Sequence, residues 1–183
     1  MFNLDLSTIE APQAKEFELI PNGTIAPVII NIKGVKPTNA GDAQMLDIEF
    51  TVTSGDYARR KVFGLFMVKG NGTPGHTMAV EISSRKFLEI AQSAFGITDP
   101  TAPDAAAFLK SFNTDSIQGA EFLARIGIEK DKTGQYSDKN VVAGAVTPGD
   151  KRYNFKPHPL PLASAAPAPQ ASAPAQSTPA WAS

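Results

Sequence analysis

Asp47-Ile48-Glu49-Phe50-Thr51-Val52-Thr53-Ser54-Gly55-Asp56-Tyr57-Ala58-Arg59-Arg60-Lys61-Val62-Phe63-Gly64-Leu65-Phe66-Met67-Val68-Lys69 opens in strict alternation. With Leu46 included, Ile48, Phe50 and Val52 fall on one face, and Asp47, Glu49, Thr51 and Thr53 on the other. A period of two is the mark of a half-buried strand. Ser54-Gly55-Asp56 then supplies turn chemistry, and Ala58–Val68 reads as the returning strand of a hairpin. That second strand carries Arg59, Arg60 and Lys61 beside Phe63 and Phe66. Cationic groups next to aromatic rings can hold phosphates and stack bases on one surface.

The flanking segments extend the pattern. Phe17–Val35 reads as a first strand interrupted early by Pro21-Asn22-Gly23, which marks a turn or bulge, and Met45–Thr53 is the second. Gly70–Gly75 is a flexible loop. A helix is expected to open at Ser83 or Ser84 as N-cap, to carry Phe87, Leu88, Ala91 and Phe95 at helical spacing, and to close at Gly96. A second short helix is expected over Asp104–Phe112. Ile117–Glu129 is the fourth strand, Asp131–Lys139 a polar turn and Asn140–Val146 the fifth strand. The fold class is therefore mainly β. Five strands with a helical segment between strands three and four correspond to the OB-fold, a Greek-key barrel. Residues 1–16 read as a leader and 17–157 as the folded domain. Residues 158–183 form a Pro/Ala/Ser tail without charge, a composition expected to stay disordered and act as a spacer.

The chain of 183 residues has a net charge of −1 and no cysteine, which excludes disulfides and thiolate metal sites. No apolar run is long enough to cross a membrane, and the N-terminus lacks a secretory pattern. The charge is unevenly spread. Residues 1–56 hold 3 basic and 8 acidic side chains, a net of −5, whereas residues 57–86 hold 6 basic and 1 acidic, a net of +5. Local potential matters more for binding than overall charge. His76 and His158, the two histidines, have no carboxylates at ligand spacing, so no metal site is expected. No nucleophile–base or paired-acid pattern points to an enzyme.

The candidate binding residues follow from this distribution. In a strand, Arg59 and Lys61 would share a face about 7 Å apart, opposite Arg60, and neutralise successive phosphates. Val62, Phe66 and Val68 look inward by alternation, while Phe63 reads either as an exposed stacking ring or as core. Tyr57 either stacks on a base or caps the hairpin. Lys33 and Lys36, at the end of strand one, would extend a phosphate track. Tyr136 and Lys139 lie in the loop before strand five, and Arg125 faces outward from strand four. Lys151, Arg152 and Tyr153, with Phe155 and Lys156, form a basic-aromatic patch that either returns along the groove or packs on the barrel.

Several of these segments carry a likeness. They are Leu19–Ile25, Asp47–Val52 with Gly55–Phe63, the helix ending Ala94-Phe95-Gly96, and Tyr136-Ser137-Asp138-Lys139-Asn140-Val141. In this order they resemble a family of bacteriophage OB-fold single-stranded DNA-binding proteins, many described only as a domain of unknown function. The resemblance spans roughly residues 17–148. It implies a sequence-tolerant, non-enzymatic, cofactor-free binder that coats displaced strands during phage DNA replication and recombination, in the cytoplasm of an infected bacterial host. Carried over by position, Tyr57, Arg59, Arg60, Lys61 and Phe63 belong to the binding strand, and Tyr136, Lys139 and Asn140 to the loop before the last strand. The chain departs from many single-stranded DNA-binding proteins at its end: Pro179-Ala180-Trp181-Ala182-Ser183 has no acidic tip. Trp181, the chain's one tryptophan, is a candidate anchor for replication or recombination proteins. Small barrels of this type often self-associate, but no stripe in the sequence says how. Two other readings stay open: a non-enzymatic protein-interaction or structural adaptor module on a small β-barrel, and an RNA binder.

Overall fold

The computed structural model describes residues 18–131 and 133–161. The leader, most of the tail and Trp181 lie outside the described residues. The hairpin is present as β2 (Gln44–Val52) and β3 (Lys61–Lys69), paired antiparallel. Leu46, Ile48, Phe50 and Val52 are buried, as alternation requires. β3 begins three residues later than expected, because Ala58–Arg60 completes the turn. The Ala58 amide donates to the Gly55 carbonyl and the Arg60 amide to that of Tyr57. Arg59 takes the left-handed conformation, φ 68°, which L-residues seldom adopt. Arg59 and Lys61 therefore do not form the cationic pair on one strand face that alternation predicts.

Pro21-Asn22-Gly23 forms the turn that is one of its two expected readings, and β1 (Thr24–Pro37) starts only after it. β1 is long enough to pair with two neighbours. Its first half runs antiparallel to β4 (Glu121–Glu129) and its second half to β2, with a bulge between Ile32 and Gly34. The start of β4 also moves inward. Asn113 caps a 3₁₀ turn over Thr114–Ile117 with a reciprocal Asn113–Ser116 bond pair, so the chain is not yet extended there. β5 (Lys139–Ala145) pairs with β4. The sheet order is β3-β2-β1-β4-β5, all antiparallel. The ladder does not close into a barrel. β3 and β5 are its two edges, and they approach each other without pairing.

α1 (Pro74–Phe95) lies between β3 and β4 in the chain and packs on β3, β4 and β5. It starts nine residues before Ser83. Pro74 occupies the first turn, where its missing N–H leaves nothing unsatisfied. Ser83 and Ser84 sit mid-helix, and their hydroxyls donate back to the carbonyls of Ala79 and Val80 instead of capping. The expected C-cap holds: Gly96 has φ 67° and its amide bonds to the Gln92 carbonyl. A Cβ there would lie 2.8 Å from Pro157, so glycine is required twice over. α2 (Pro103–Lys110) packs Phe108 against Phe95 at 5.1 Å between ring centres.

The main core joins the inner sheet face to α1. Phe50 meets Phe122 edge-on at 6.0 Å, and Phe66 meets Phe87 at 5.2 Å. After β5 the chain runs back over α1. The Tyr153 hydroxyl donates to the Ser93 carbonyl at 2.8 Å, the His158 amide donates to that of Ala94, and Leu160 packs against the cluster of Ala91, Ile97, Ala105 and Phe108. Contact with the body thus continues past residue 157, the expected boundary of the tail.

Candidate nucleic-acid interface

The outer face of β1, β2 and β3 is assembled by register. Asn31 stands opposite Glu49, and Glu49 opposite Phe63; Asp47 faces Leu65, and Thr51 faces Lys61. Phe63 is 57% exposed and Leu65 56% exposed, whereas Val62 and Phe66 are buried. This places Phe63 outward and Phe66 in the core. Val68 turns partly outward, against expectation, because the register slips beside Gln44 and leaves Val68 as the extra residue of a bulge.

The lysines of this face are held by carboxylates. Glu49 is only 7% exposed, yet binds Lys61 at 3.0 Å through one oxygen and Lys33 at 3.4 Å through the other. The hydrogen bond from Lys61, with the nearby positive charge of both lysines, holds the Glu49 carboxyl below its ordinary range against the opposing effect of burial. Lys36 pairs with Asp47 next to it. These pairings are invisible to a strand-by-strand reading, because each joins residues of different strands.

A groove of about 860 Å³ follows the seam where β3 and β5 approach. Lys36, Phe63, Leu65, Lys86 and Lys139 line it together with Asp47 and Glu129. Lys139 pairs with Glu129 at 3.3 Å. Lys86 was not foreseen as a site residue. It comes from α1, lies 5.2 Å above the Phe66 ring and reaches the Val142 carbonyl at 3.5 Å. Its helical neighbours gave no signal, since only tertiary packing turns it toward the seam.

A second hollow, about 740 Å³, shares Glu129 and Lys139 and leads to Tyr136, which is 76% exposed. The loop that presents Tyr136 is internally braced. The Asp131 carboxylate accepts from the Thr133 amide at 3.1 Å and from the Tyr136 amide at 2.8 Å. Those backbone bonds, Tyr136 first, bring the Asp131 carboxyl down to about 2. Asn140 anchors the start of β5 by donating to the carbonyls of Ile20 and Gly127. The seam therefore joins Lys36, Phe63 and Lys139, expected site residues from three distant stretches of the chain, and the hollow beside it adds Tyr136, three residues before Lys139.

The other expected residues do not line this groove. Lys33 and Lys61 flank it on the outer face through Glu49. Tyr57 is half-buried against the core, which supports its hairpin-capping role, and Arg60 donates to the Glu18 carbonyl at 2.7 Å. Arg125 and Arg152 both converge on Asp150, at 3.7 and 2.6 Å, and hold its carboxyl well below the usual range, with Arg152 the stronger influence. Tyr153 is tied to α1, so the Lys151–Tyr153 segment packs on the body rather than returning along the groove. Among the described residues, no three His, Cys, Asp or Glu side chains are grouped to hold a metal. Also among them, no helix is long and apolar enough to cross a membrane. No protein-family model matches the chain, and comparison with curated proteins finds no match.

Proposed function

We propose that the open five-stranded sheet is an OB-fold and that its β3–β5 seam binds single-stranded DNA without marked sequence preference. The strand order supports the OB reading. In that fold the face of strands two and three, together with the loops joining strands one to two and four to five, binds oligonucleotides. Here Lys36 precedes the first of those loops, Tyr136 lies within the second, and Phe63 and Leu65 occupy β3 between them. The carrying observation is Phe63, a ring 57% exposed on a strand rimmed by lysines. An exposed ring beside cations is a platform for base stacking, and every base offers a π-face. Duplex DNA keeps its bases stacked inside and gains little from such a platform. The sequence resemblance adds a role in phage DNA replication and recombination, and Trp181, the lone large aromatic of the Pro/Ala-rich tail sequence, is a candidate contact for partner proteins.

The test is fluorescence anisotropy of a labelled oligothymidine at low and moderate salt, with duplex of the same length as control. Salt-sensitive binding to the single strand that exceeds duplex binding supports the proposal; equal indifference to both rejects it. A matched oligouridine separates DNA from RNA. A second reading, a protein-interaction surface, draws on the exposed apolar side chains Phe63 and Leu65, which share the outer face of β3. It predicts no oligonucleotide binding at any salt concentration.

A further inference from the structure

Glu49 is the unusual residue of the outer face. It lies on the middle of three strands, opposite Phe63, almost wholly buried and ionised between Lys33 and Lys61. Burying such a charge is seldom the most stable choice, since an apolar side chain of similar size often does as well or better. Its effect is instead on the lysines. Each carboxylate oxygen takes one ammonium, at 3.4 Å for Lys33 and 3.0 Å for Lys61, and the lysine side chains remain 46% and 53% exposed. An ammonium has three donors, so each lysine still offers donors to an incoming phosphate. The trio presents a net charge of +1 where two bare lysines would present +2. Asp47 on Lys36 and Glu129 on Lys139 repeat the arrangement along the groove.

Resting on the single-strand reading above, we infer that Glu49 limits affinity: it fixes Lys33 and Lys61 beside the Phe63 stacking platform while subtracting from the phosphate attraction they exert. The five lysines 33, 36, 61, 86 and 139 are opposed by three carboxylates, 47, 49 and 129, leaving a net of +2. Binding then depends on stacking more than on charge, which allows a strand to be both held and released. Asp47 acts on Lys36 in the same sense from a more exposed position.

The experiment compares wild-type protein, Glu49→Gln and Asp47→Asn for binding to labelled oligothymidine across a salt series. Gln keeps an acceptor for Lys61 but removes the negative charge. Each substitution is expected to steepen the slope of log K against log salt by about 0.7, the contribution of one added phosphate contact on a single strand. Affinity at low salt should rise by about two- to fivefold, the strength of a partly exposed ion pair. Circular dichroism verifies folding; should Glu49→Gln not fold, Asp47→Asn decides, because it leaves the buried position untouched. Folded variants with the wild-type slope, or with weaker binding, overturn the role of the carboxylates while leaving the single-strand reading intact. Failure of the wild-type protein itself to bind oligothymidine overturns both.

Discussion

Replacing Phe63 by Ala separates binding from stability, because so much of the ring lies in solvent. A buried Phe→Ala change costs about 3–5 kcal/mol. With Phe63 57% exposed, less than half of that contact is lost, so the stability cost should be ~1–2 kcal/mol. For a domain of this size that is a melting shift of roughly 2–8 °C. The binding loss should be larger in effect. One stacked base contributes about 1–3 kcal/mol, or ~5- to 150-fold in Kd. Phe66→Ala is the internal contrast. Phe66 is buried and touches both Phe50 and Phe87, so its loss should cost about 3–5 kcal/mol in stability; its ring borders the groove beneath Lys86, so any loss of affinity in the folded variant should be smaller than for Phe63→Ala. Urea unfolding and oligothymidine anisotropy on the same samples give both numbers. A folded Phe63→Ala protein that binds as tightly as wild type would refute stacking on β3.

Three further outcomes check the structure. Gly96→Ala forces a side chain into the left-handed region and against Pro157, so it should destabilise by at least ~1 kcal/mol in chemical denaturation. Ser84→Ala should be neutral or stabilise by up to about 0.5 kcal/mol, since Ser84 is exposed mid-helix and Ala favours helix there; a loss of the size expected for an N-cap would move the start of α1. Asp131 has a folded-state pKa depressed to about 2 from an ordinary 3.8, so its brace on Tyr136 is fully present above the ordinary value and is lost as pH falls through about 2. The Tyr136 amide, followed by NMR between neutral pH and pH 2, should keep its shift until the acid end; a transition near 4 would show that the brace is not formed.

Much of the framework was legible from local patterns. The alternation of Leu46–Val52 identified β2 and its inner face, and glycine after Phe95 marked the end of α1, because both signals arise within a few residues. The start of α1 was hidden. Gly70, Gly72 and Gly75 read as loop, and two serines mid-helix imitated a cap, while Pro74 was the true boundary signal. Arg59 misled for a related reason: it looks like part of a basic strand, but the turn places it at positive φ. The site itself depends on distant partners. Phe63, Lys139 and Tyr136 could be named as candidates from the sequence, but the groove that Phe63 and Lys139 share, and the hollow that links Lys139 to Tyr136, follow from the approach of β3 and β5. The carboxylates that pair with Lys33, Lys36, Lys61 and Lys139 and the arrival of Lys86 from α1 are tertiary facts with no local trace.

The most direct test maps the ligand on the folded chain. Backbone amide shifts of isotopically labelled protein, recorded with and without oligothymidine, should move at Phe63–Leu65, Lys36, Lys139 and Tyr136. Changes centred instead on Arg125 and Lys151–Tyr153, or none at all, would contradict a binding groove at the seam of β3 and β5.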